Sequence, residues 1–594
     1  MQITSVWIWR VLGWAPESWG VGMSLNDVCC FVPVWFGVSC TVLLAMLTGE
    51  CTKSWSTGAA AAGIMSVIPA HVMRCHGGGY DNESIALTAL CCTFFCWCRA
   101  LRDDPDVTDG SATRDSIRWG ALSGFAYIYM VAAWGGYIFV INMVALHAGA
   151  LCVLGRYSSK LHRAYSLFYV IGTIGAVQIP VVGWSPLTSL EQLAGLAAFL
   201  GLQFLEFCEI RRRRDNLDIF QTFLLRVKIA IPFFAVVCLG AWLLYVSGNM
   251  SPLGARIRGL FVKHTRTGNP LVDSVAEHQP ADESAYKQYL GVAYDLGPYG
   301  LALCVLHWSD ASFFLVMYTL AAYYFSNKMA RLIVLGGPIA SALAGVAIGT
   351  ALDQLIVNAA GSLMMRILAS TDPETVGELA AAEGDDGEEE EDDEDEDEDE
   401  NESSEEPSDK NLIRKNGKWV SGDVDDGSPA PAGRKSPTEK LTHLKVEMKK
   451  SVLSVYDHPL ICLIRIGIGA YLCKEVFYPQ SVDFYNYGHQ LADGLSQPSI
   501  MFRANLQNGQ EIIVDDYREA YHWLRDKTPE DSRVMAWWDY GYQITSVQMP
   551  RGEFLCPPLA SNKTRCLPGG SATGRRLRTA TPGITNTSRR SGAF

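Results

Sequence analysis

Asp81 and Glu83 are the first candidates for chemistry in this chain. They stand two residues apart in GGGYDNES, directly before an apolar stretch. In an extended turn both carboxylates can reach one hard cation through oxygen ligands, and the glycines let the backbone approach closely. A helix N-cap is the alternative interpretation, because Asp or Asn before a helix accepts hydrogen bonds from its first backbone N–H groups.

Two further polar segments carry single candidate groups. Glu277 and His278 are adjacent in SVAEHQP, in a loop over about 248–290, where such a pair is usually a solvated loop feature. Arg331 begins an apolar stretch in SNKMARLIVLGG. An arginine there can snorkel to lipid headgroups, or it can hold a lipid-linked phosphate, for which its planar fork is suited.

The fourth segment, WWDYG, pairs two indoles with a carboxylate at Trp537, Trp538 and Asp539. An amphipathic helix is predicted just before it, in DDYREAYHWLRDK, followed by a turn at Thr528-Pro529 and a short strand. The motif can simply pack in a hydrophobic core. Paired indoles beside an aspartate also suit the capture of a small side chain that carries a hydroxyl.

Apolar windows recur along the whole chain, which is 49% hydrophobic and only 19% charged. A helix of about 20 apolar residues crosses a bilayer, so the pattern predicts an all-α polytopic membrane protein. The windows lie at about 28–49, 57–73, 84–100, 119–135, 136–154, 164–183, 192–210, 219–247, 291–308, 311–326, 330–356 and, less cleanly, 452–475. Their number predicts about twelve spans.

Basic residues mark alternate loops and predict the topology. They are Arg99, Arg102, Arg114 and Arg118, then Arg156, Lys160 and Arg163, then Arg211 to Arg214. The positive-inside rule places these loops in the cytosol. The segments 74–84 and 273–280, and the chain after about 476, therefore share the opposite, external or lumenal face.

Composition predicts the domain boundaries. The run 383–409 holds 20 acidic residues and no basic ones, so it cannot collapse and is expected to be disordered on the cytosolic side. The cysteines lack paired CxxC motifs with zinc-site spacing and are interpreted as packing residues. The predicted regions are a multi-span domain at 1–360, the acidic loop at 361–450, a last span at 451–475, a lumenal α/β domain beginning at 476–545, and a divergent tail at 546–594.

Several motifs together resemble one family. WWDYG, GGYDNESIAL, YIYMVAAWGGYIFVINMVALH, QIPVVGW, SVAEHQP and KMARLIVL stand in the order found in the STT3 family, the catalytic subunits of eukaryotic oligosaccharyltransferase. The resemblance covers roughly 20–360 and 450–545. It implies the GT-C glycosyltransferase fold and transfer of a preassembled oligosaccharide from a dolichyl pyrophosphate carrier to Asn-x-Ser/Thr.

The resemblance also implies a role for each candidate residue. Asp81 and Glu83 match the second acidic motif, which contributes to a metal site usually filled by Mn²⁺ or Mg²⁺. Glu277 matches the loop glutamate that engages the acceptor, with His278 beside it, although Ala276 stands where serine is common. Arg331 would neutralise the lipid pyrophosphate. The trio Trp537, Trp538 and Asp539 would receive the acceptor's Ser or Thr.

The expected partners and place follow from the same resemblance. They are the lipid-linked oligosaccharide donor, acceptor polypeptides with Asn-x-Ser/Thr, and other oligosaccharyltransferase subunits. No nucleic-acid partner is expected. The resemblance implies a multi-pass protein of the endoplasmic reticulum membrane with its active site facing the lumen.

Two departures from the family pattern bear on activity. The family's first helix and first acidic motif have no match here, since Asp27 aligns with an ordinary position, and the resemblance stops after Thr545. The chain as written is therefore expected to be inactive or nearly so. A non-catalytic scaffold or truncated paralogue is the main alternative, and a polytopic transporter is a further one, although transporters usually place ionisable groups at the bilayer midplane and contain repeats.

Overall fold

The computed structural model describes residues 1–14, 22–102, 109–248, 279–371, 412–415, 418–421, 456–496, 501–505, 510–529, 534 and 544. The chain divides into two compact units. One is formed by Met1–Asp103, Thr108–Thr350 and Pro479–Phe594, and the other by Asp104–Val107 and Ala351–Tyr478.

Helices make up nearly all of the described first unit. The helices before residue 249 are α1 Gln2–Leu12, α2 Leu25–Thr52, α3 Trp55–Val67, α4 Pro69–Cys75, α5 Glu83–Ala100, α6 Asp109–Ala133, α7 Tyr137–Val153, α8 Ser159–Val177, α9 Ser185–Thr188, α10 Leu193–Asp215 and α11 Ile219–Val246. After residue 278 come α12 Glu283–Leu290, α13 Val292–Leu306, α14 Asp310–Lys328, a 3₁₀ turn at Ala330–Leu332, and α15 Ile333–Leu352.

Helix α5 lies at the centre of the first unit. In its membrane-span window 89% of the residues are buried, and the ring of Phe94 meets Phe314 and Tyr318 edge-on at centroid distances of 4.9 and 5.1 Å. Lower on the same helix, Trp97 Nε1 donates a 3.0 Å hydrogen bond to His147 Nδ1. This packing fixes α5 and therefore fixes the position of Glu83 at its first turn.

Small residues let helices α6 and α8 approach closely. A Cβ atom at Gly120 would lie 2.8 Å from the backbone oxygen of Ala164, and one at Gly124 would lie 3.0 Å from Ile171. The two glycines stand four residues apart on one face of α6, which is the small-xxx-small spacing typical of tight helix contacts in membranes. The contact therefore depends on the missing side chain at Gly120.

By length and composition, the described helices give fewer candidate membrane spans than the twelve that the apolar windows predict. Among the described residues five helices are long and apolar enough to cross a membrane, or up to seven if each sharply bent pair counts as one span. The bent pairs are α3 with α4, at 61°, and α12 with α13, at 93°. The other windows also form helices, but α7 has only 17 residues and α6 begins with a polar, charged segment.

The second unit is built around a buried arginine. Residues Asp353–Val357 form a π-helical turn, followed by α16 Asn358–Thr371, and the facing helix is α17 Pro459–Leu472. From α17, Arg465 Nε donates to the backbone oxygen of Gln354 in that turn at 3.1 Å, and its guanidinium lies 3.6 Å from the Tyr456 ring centre. A π turn leaves backbone carbonyl groups without their usual helical hydrogen bonds. Arg465 donates to one of these carbonyl oxygens, that of Gln354.

The predicted acidic loop at 361–450 is only partly described. Its described residues are the end of α16 and an antiparallel hairpin of β1 Leu412–Lys415 and β2 Lys418–Ser421. The sequence places Asn416-Gly417 between these strands, and Asn-Gly favours two-residue hairpins. The acidic run 383–409 itself lies outside the described residues.

The helical segment near 475 is longer than the predicted last span. A π turn at Cys473–Phe477 is followed by α18 Tyr478–Ser496, where the sequence predicts the chain to leave the membrane near 475. Pro479 lacks a backbone N–H, and a π turn is a common accommodation of such a break. An antiparallel pair, β3 Phe502–Asn505 and β4 Glu511–Val514, then leads into the predicted amphipathic helix, α19 Asp516–Lys527.

The α6–α8 contact gives a stability prediction. Gly120→Ala should lower the free energy of unfolding by about 1–3 kcal/mol, because its methyl group meets backbone that cannot move aside. Gly149→Ala is the matched control, since a Cβ there meets nothing within 4 Å. The check is thermal unfolding of both variants in detergent. Equal melting temperatures for the two variants would show that α6 and α8 do not pack as described.

Candidate active site

The loop before α5 owes its shape to two glycines. Gly78 has φ +81°, a left-handed conformation that favours glycine, and its N–H donates a 3.0 Å hydrogen bond to the backbone oxygen of Cys30 on α2. A Cβ at Gly79 would lie 2.6 Å from the imidazole ring of His76. These two glycines let the loop pass close to α2 and to the His76 ring, and the loop leads Asp81 to the start of α5.

The helix-cap interpretation of Asp81 does not hold. The N-cap residue of α5 is Asn82, and no side chain caps the helix. The Asp81 N–H donates to the oxygen of Gly79 at 2.7 Å, and its own backbone oxygen accepts from Ser84 Oγ at 3.0 Å. The Asp81 carboxylate is half-buried and has no side-chain partner among the residues that the structure describes. It is therefore available to a ligand.

Glu83 is held between two arginines. Its side chain is only 1% exposed, and it is the first residue of α5, where the helix dipole favours negative charge. Arg331 donates to Oε1 from Nη2 at 2.8 Å and from Nε at 3.2 Å. Arg74 Nε lies 2.9 Å from Oε2. The two guanidinium groups thus bring three residues from distant parts of the chain together at the start of α5.

The Arg74 contact is an ion pair without the alignment of a hydrogen bond. Glu83 Oε2 is buried and has no hydrogen-bond donor among the described residues, although Arg74 Nε lies only 2.9 Å away. The distance supports electrostatic attraction, and the unused lone pair leaves this oxygen able to accept a further donor or cation. Glu83 Oε2 and the Asp81 carboxylate are the two oxygen groups that the loop offers.

A divalent metal fits these residues in part. Mg²⁺ and related hard cations prefer oxygen ligands such as carboxylates, and Asp81 with Glu83 Oε2 supplies two. No group of three or more His, Cys, Asp or Glu side chains suited to a metal occurs within the described part of the chain. The described residues therefore provide one side of such a site.

Arg331 comes from a part of the chain far from Glu83. It lies in the 3₁₀ turn between α14 and α15, and its side chain is 39% exposed. The adjacent Ala330 N–H donates to the backbone oxygen of Gln279 at 2.8 Å. The chain at Gln279 is thereby held next to Ala330, the neighbour of Arg331.

The other predicted site residues lie outside the described residues. These are Glu277, His278, Trp537, Trp538 and Asp539. Gln279 follows His278 directly, so the described chain begins again one residue after that pair and within a hydrogen bond of Ala330. Three residues further on, Asp282 caps α12 by accepting from the Ala285 N–H at 2.9 Å, and this bond, with one from Ser284, lowers the pKa of its carboxyl.

Arg74 is a site residue that the sequence reasoning missed. It lies in the last turn of α4, seven residues before Asp81 in the same segment RCHGGGYDNES. The signal that could have found it is a basic residue in the same short segment as two carboxylates. The reasoning from sequence weighed only the carboxylates of that segment.

One protein-family model matches the part of the chain that contains these residues. The family model described as "Oligosaccharyl transferase STT3, N-terminal" matches residues 2–344. That range contains α1 to α14 and most of α15, including Arg74, Asp81, Glu83 and Arg331.

Curated relatives carry the same family name. The chain is 29% identical over 547 residues to the dolichyl-diphosphooligosaccharide–protein glycosyltransferase subunit stt-3 of Caenorhabditis elegans, covering 90% of this chain and 60% of that protein. It is 29% identical to subunit STT3B of Oryza sativa subsp. japonica, covering 92% of this chain and 63% of that protein. The chain therefore spans about 60% of the length of these relatives.

Solved structures agree on the fold. The apo oligosaccharyltransferase of Archaeoglobus fulgidus matches with a TM-score of 0.52 at 14% identity, covering 88% of this chain and 53% of that one. The same organism's AglB in complex with an inhibitory peptide and a dolichol-phosphate also scores 0.52, covering 92% and 55%. The membrane fold, the order of the motifs and the family model agree, and this chain belongs to the STT3 family of oligosaccharyl transferases.

Proposed function

We propose that this protein is a dolichyl-diphosphooligosaccharide–protein glycosyltransferase. It transfers a preassembled oligosaccharide from a dolichyl pyrophosphate carrier to the asparagine of Asn-x-Ser/Thr sequons. The observation that carries the proposal is the Arg74–Glu83–Arg331 cluster beside an unengaged Asp81 carboxylate. It combines an anion site with an acidic group at one end of α5.

Arg331 binds the leaving group. Transfer of the sugar releases the lipid pyrophosphate, whose negative charge grows as the bond to the anomeric carbon breaks. A guanidinium fork binds phosphate oxygens through two parallel hydrogen bonds. Glu83 holds the Nε and Nη2 edge of Arg331, which orients the side chain and leaves its exposed part to the phosphate. Fixed charges placed in advance of the reaction stabilise developing charge most strongly.

Asp81 and Glu277 act on the acceptor asparagine. An amide nitrogen is a poor nucleophile because resonance delocalises its lone pair. Carboxylates that accept hydrogen bonds from both amide N–H groups reduce this conjugation as the nitrogen attacks the anomeric carbon. The link from Gln279 to Ala330 supports this placement of Glu277, since it brings the end of that loop to Arg331.

Asp81 and Glu83 hold the Mn²⁺ or Mg²⁺ ion of the proposed site, together with ligands outside the described residues. When bound, the ion would supply positive charge beside the Asp81 and Glu83 carboxylates, close to the acceptor and the donor. Trp537, Trp538 and Asp539 receive the Ser or Thr hydroxyl of the sequon, and His278 lies at the acceptor side. These assignments rest on the motifs of the family.

The proposed setting is the endoplasmic reticulum membrane, with the active site on the lumenal side and other oligosaccharyltransferase subunits as partners. The basic loops support this orientation: Glu50, Arg99 and Arg102 cluster at the other end of α5 from Glu83, on the predicted cytosolic face. The proposal of about twelve spans, with a lumenal domain after the last of them, rests on the apolar windows of the sequence.

Arg331→Ala tests the phosphate role directly. We expect it to lower kcat by about 10²–10³-fold, because a preplaced charge opposite the leaving group is lost. The matched control is Arg99→Ala. Arg99 donates a 2.7 Å bond to the nearly buried Glu50, so it has the same kind of ion pair at the opposite end of α5. The assay is transfer of glycan to a fluorescent Asn-x-Thr peptide by membranes whose only STT3 subunit is the full-length protein with the substitution.

The assay distinguishes a loss of folding from a loss of catalysis. Arg99→Ala should lose stability without losing transfer per folded molecule. Normal turnover by Arg331→Ala would refute the phosphate role. If both variants lost transfer equally, the loss would reflect folding and the proposed role would fail as well.

The metal assignment predicts that substitution of Asp81 changes the concentration of Mn²⁺ that activity requires. Asp81→Asn should lower transfer and raise the Mn²⁺ concentration needed for half-maximal activity, because a charged oxygen ligand is replaced by a neutral one. Asp27→Asn is the control, since Asp27 is the third helical residue of a capping box and accepts from Ser24 N and Oγ, bonds that an amide oxygen also accepts. An unchanged Mn²⁺ dependence in Asp81→Asn would remove Asp81 from the metal site.

A further inference from the structure

Asp81 is unengaged, but the residues on both sides of it are tied to other helices. Asn82 Nδ2 donates a 2.6 Å hydrogen bond to the backbone oxygen of Ala133. The Tyr80 hydroxyl shares a 2.7 Å hydrogen bond with Ser5 Oγ. The two ties run to different elements, α6 and α1, so the backbone at Asp81 is fixed from two directions.

The Asn82 side chain does not make the hydrogen bond expected at an N-cap position. Asn82 is the N-cap residue of α5, where an asparagine ordinarily accepts hydrogen bonds from the first N–H groups of the helix, yet its side chain makes no such cap. Its amide instead donates to the last residue of α6. Giving up a cap costs stability, which a long-range tie to Ala133 must offset. The bond therefore serves the position of the loop more than the helix start.

The Tyr80 bond is shielded at its Ser5 end. Ser5 is only 1% exposed although it lies on the short N-terminal helix α1, and Tyr80 is half-buried. Little water competes for the bond at the Ser5 hydroxyl, so loss of the bond costs stability. Together with the Gly78 bond to Cys30 of α2, the loop is anchored to three helices within five residues, 78 to 82.

We propose that Asn82 and Tyr80 are positioning residues that hold the Asp81 carboxylate in register with Glu83 and Arg331. This inference rests on the proposed function. A carboxylate that makes no side-chain bond of its own in the described structure cannot fix its own place, so its place is set through the backbone by its neighbours. A displacement of about 1 Å of a reacting group can cost about 10²-fold in rate, which makes such ties functional.

The geometry indicates that the two hydrogen bonds act on Asp81 alone. Both ties leave Glu83 and its arginines untouched, since those groups are held by their own ion pairs. Loss of a tie should therefore displace Asp81 while the anion site stays intact. The structure thus separates two effects: binding of the donor phosphate depends on Arg331, and turnover depends on the register of Asp81.

The test compares each tie with a bond of the same kind elsewhere. Asn82→Ala is matched by Asn142→Ala, because Asn142 Nδ2 also donates to a backbone oxygen, that of Glu191, at 2.8 Å. Tyr80→Phe is matched by Tyr129→Phe, because the Tyr129 hydroxyl also bonds to α1, at Thr4 Oγ1 and 3.0 Å. Each pair of variants loses the same atoms.

The measurement is kcat and KM for donor and acceptor peptide, per folded molecule, in membranes whose only STT3 subunit is the variant, with melting temperatures measured in parallel. We expect Asn82→Ala and Tyr80→Phe to lower kcat by about 10 to 100-fold with the KM for the lipid donor unchanged. The two controls should keep their kcat even where the melting temperature falls. If Asn82→Ala does not fold, Tyr80→Phe, which removes one oxygen atom, carries the test.

Three outcomes are decisive. A wild-type kcat in both Asn82→Ala and Tyr80→Phe, with Asp81→Ala inactive, overturns the positioning role and leaves the proposed function standing. Full activity of Asp81→Ala shows instead that the proposed function has failed. Equal losses of kcat in the test variants and their controls show a general packing effect and also overturn the inference.

Discussion

Burial of the Glu83 carboxylate is the constraint on which the rest of the site depends. A carboxylate that is 1% exposed is far too costly to leave without a counter-charge. Arg74 and Arg331 supply that charge from opposite sides, and each is thereby held in place. One guanidinium would neutralise the carboxylate, so the second arginine is not required by the charge of Glu83 alone.

The site is assembled from the ends of elements whose bodies are packed in the interior. Helix α5 positions Glu83 because its aromatic side chains are locked in the core, while Arg331 occupies the short turn where α14 ends and α15 begins. The loop with Asp81 has few packing contacts of its own and depends on hydrogen bonds to α1, α2 and α6. Rigid helices with a tethered loop between them allow precise placement and access for substrate on the same face.

Sequence reasoning identified the family and the helical character, because each rests on local pattern. It could not predict that Arg331 pairs with Glu83, since 248 residues separate them. It missed Arg74, which lies in the same segment as Glu83, because only the carboxylates of that segment were weighed. Burial was also hidden: α5 and α11 both read as apolar spans, yet α5 is enclosed and no residue in the span window of α11 is buried in the protein. In a membrane protein, apolar sequence marks lipid-facing and interior helices alike, so only the tertiary structure separates them.

A structure of the complete complex bound to a non-hydrolysable lipid-linked donor would test most directly whether the Arg74–Glu83–Arg331 cluster is the pyrophosphate site. The predicted result is a pyrophosphate oxygen at hydrogen-bond distance, about 3 Å, from the Arg331 guanidinium, with Glu83 still paired to it and the Asp81 carboxylate facing the anomeric carbon. A pyrophosphate bound elsewhere, with the cluster unchanged and closed to it, would contradict the proposal and leave the three groups with a purely structural role.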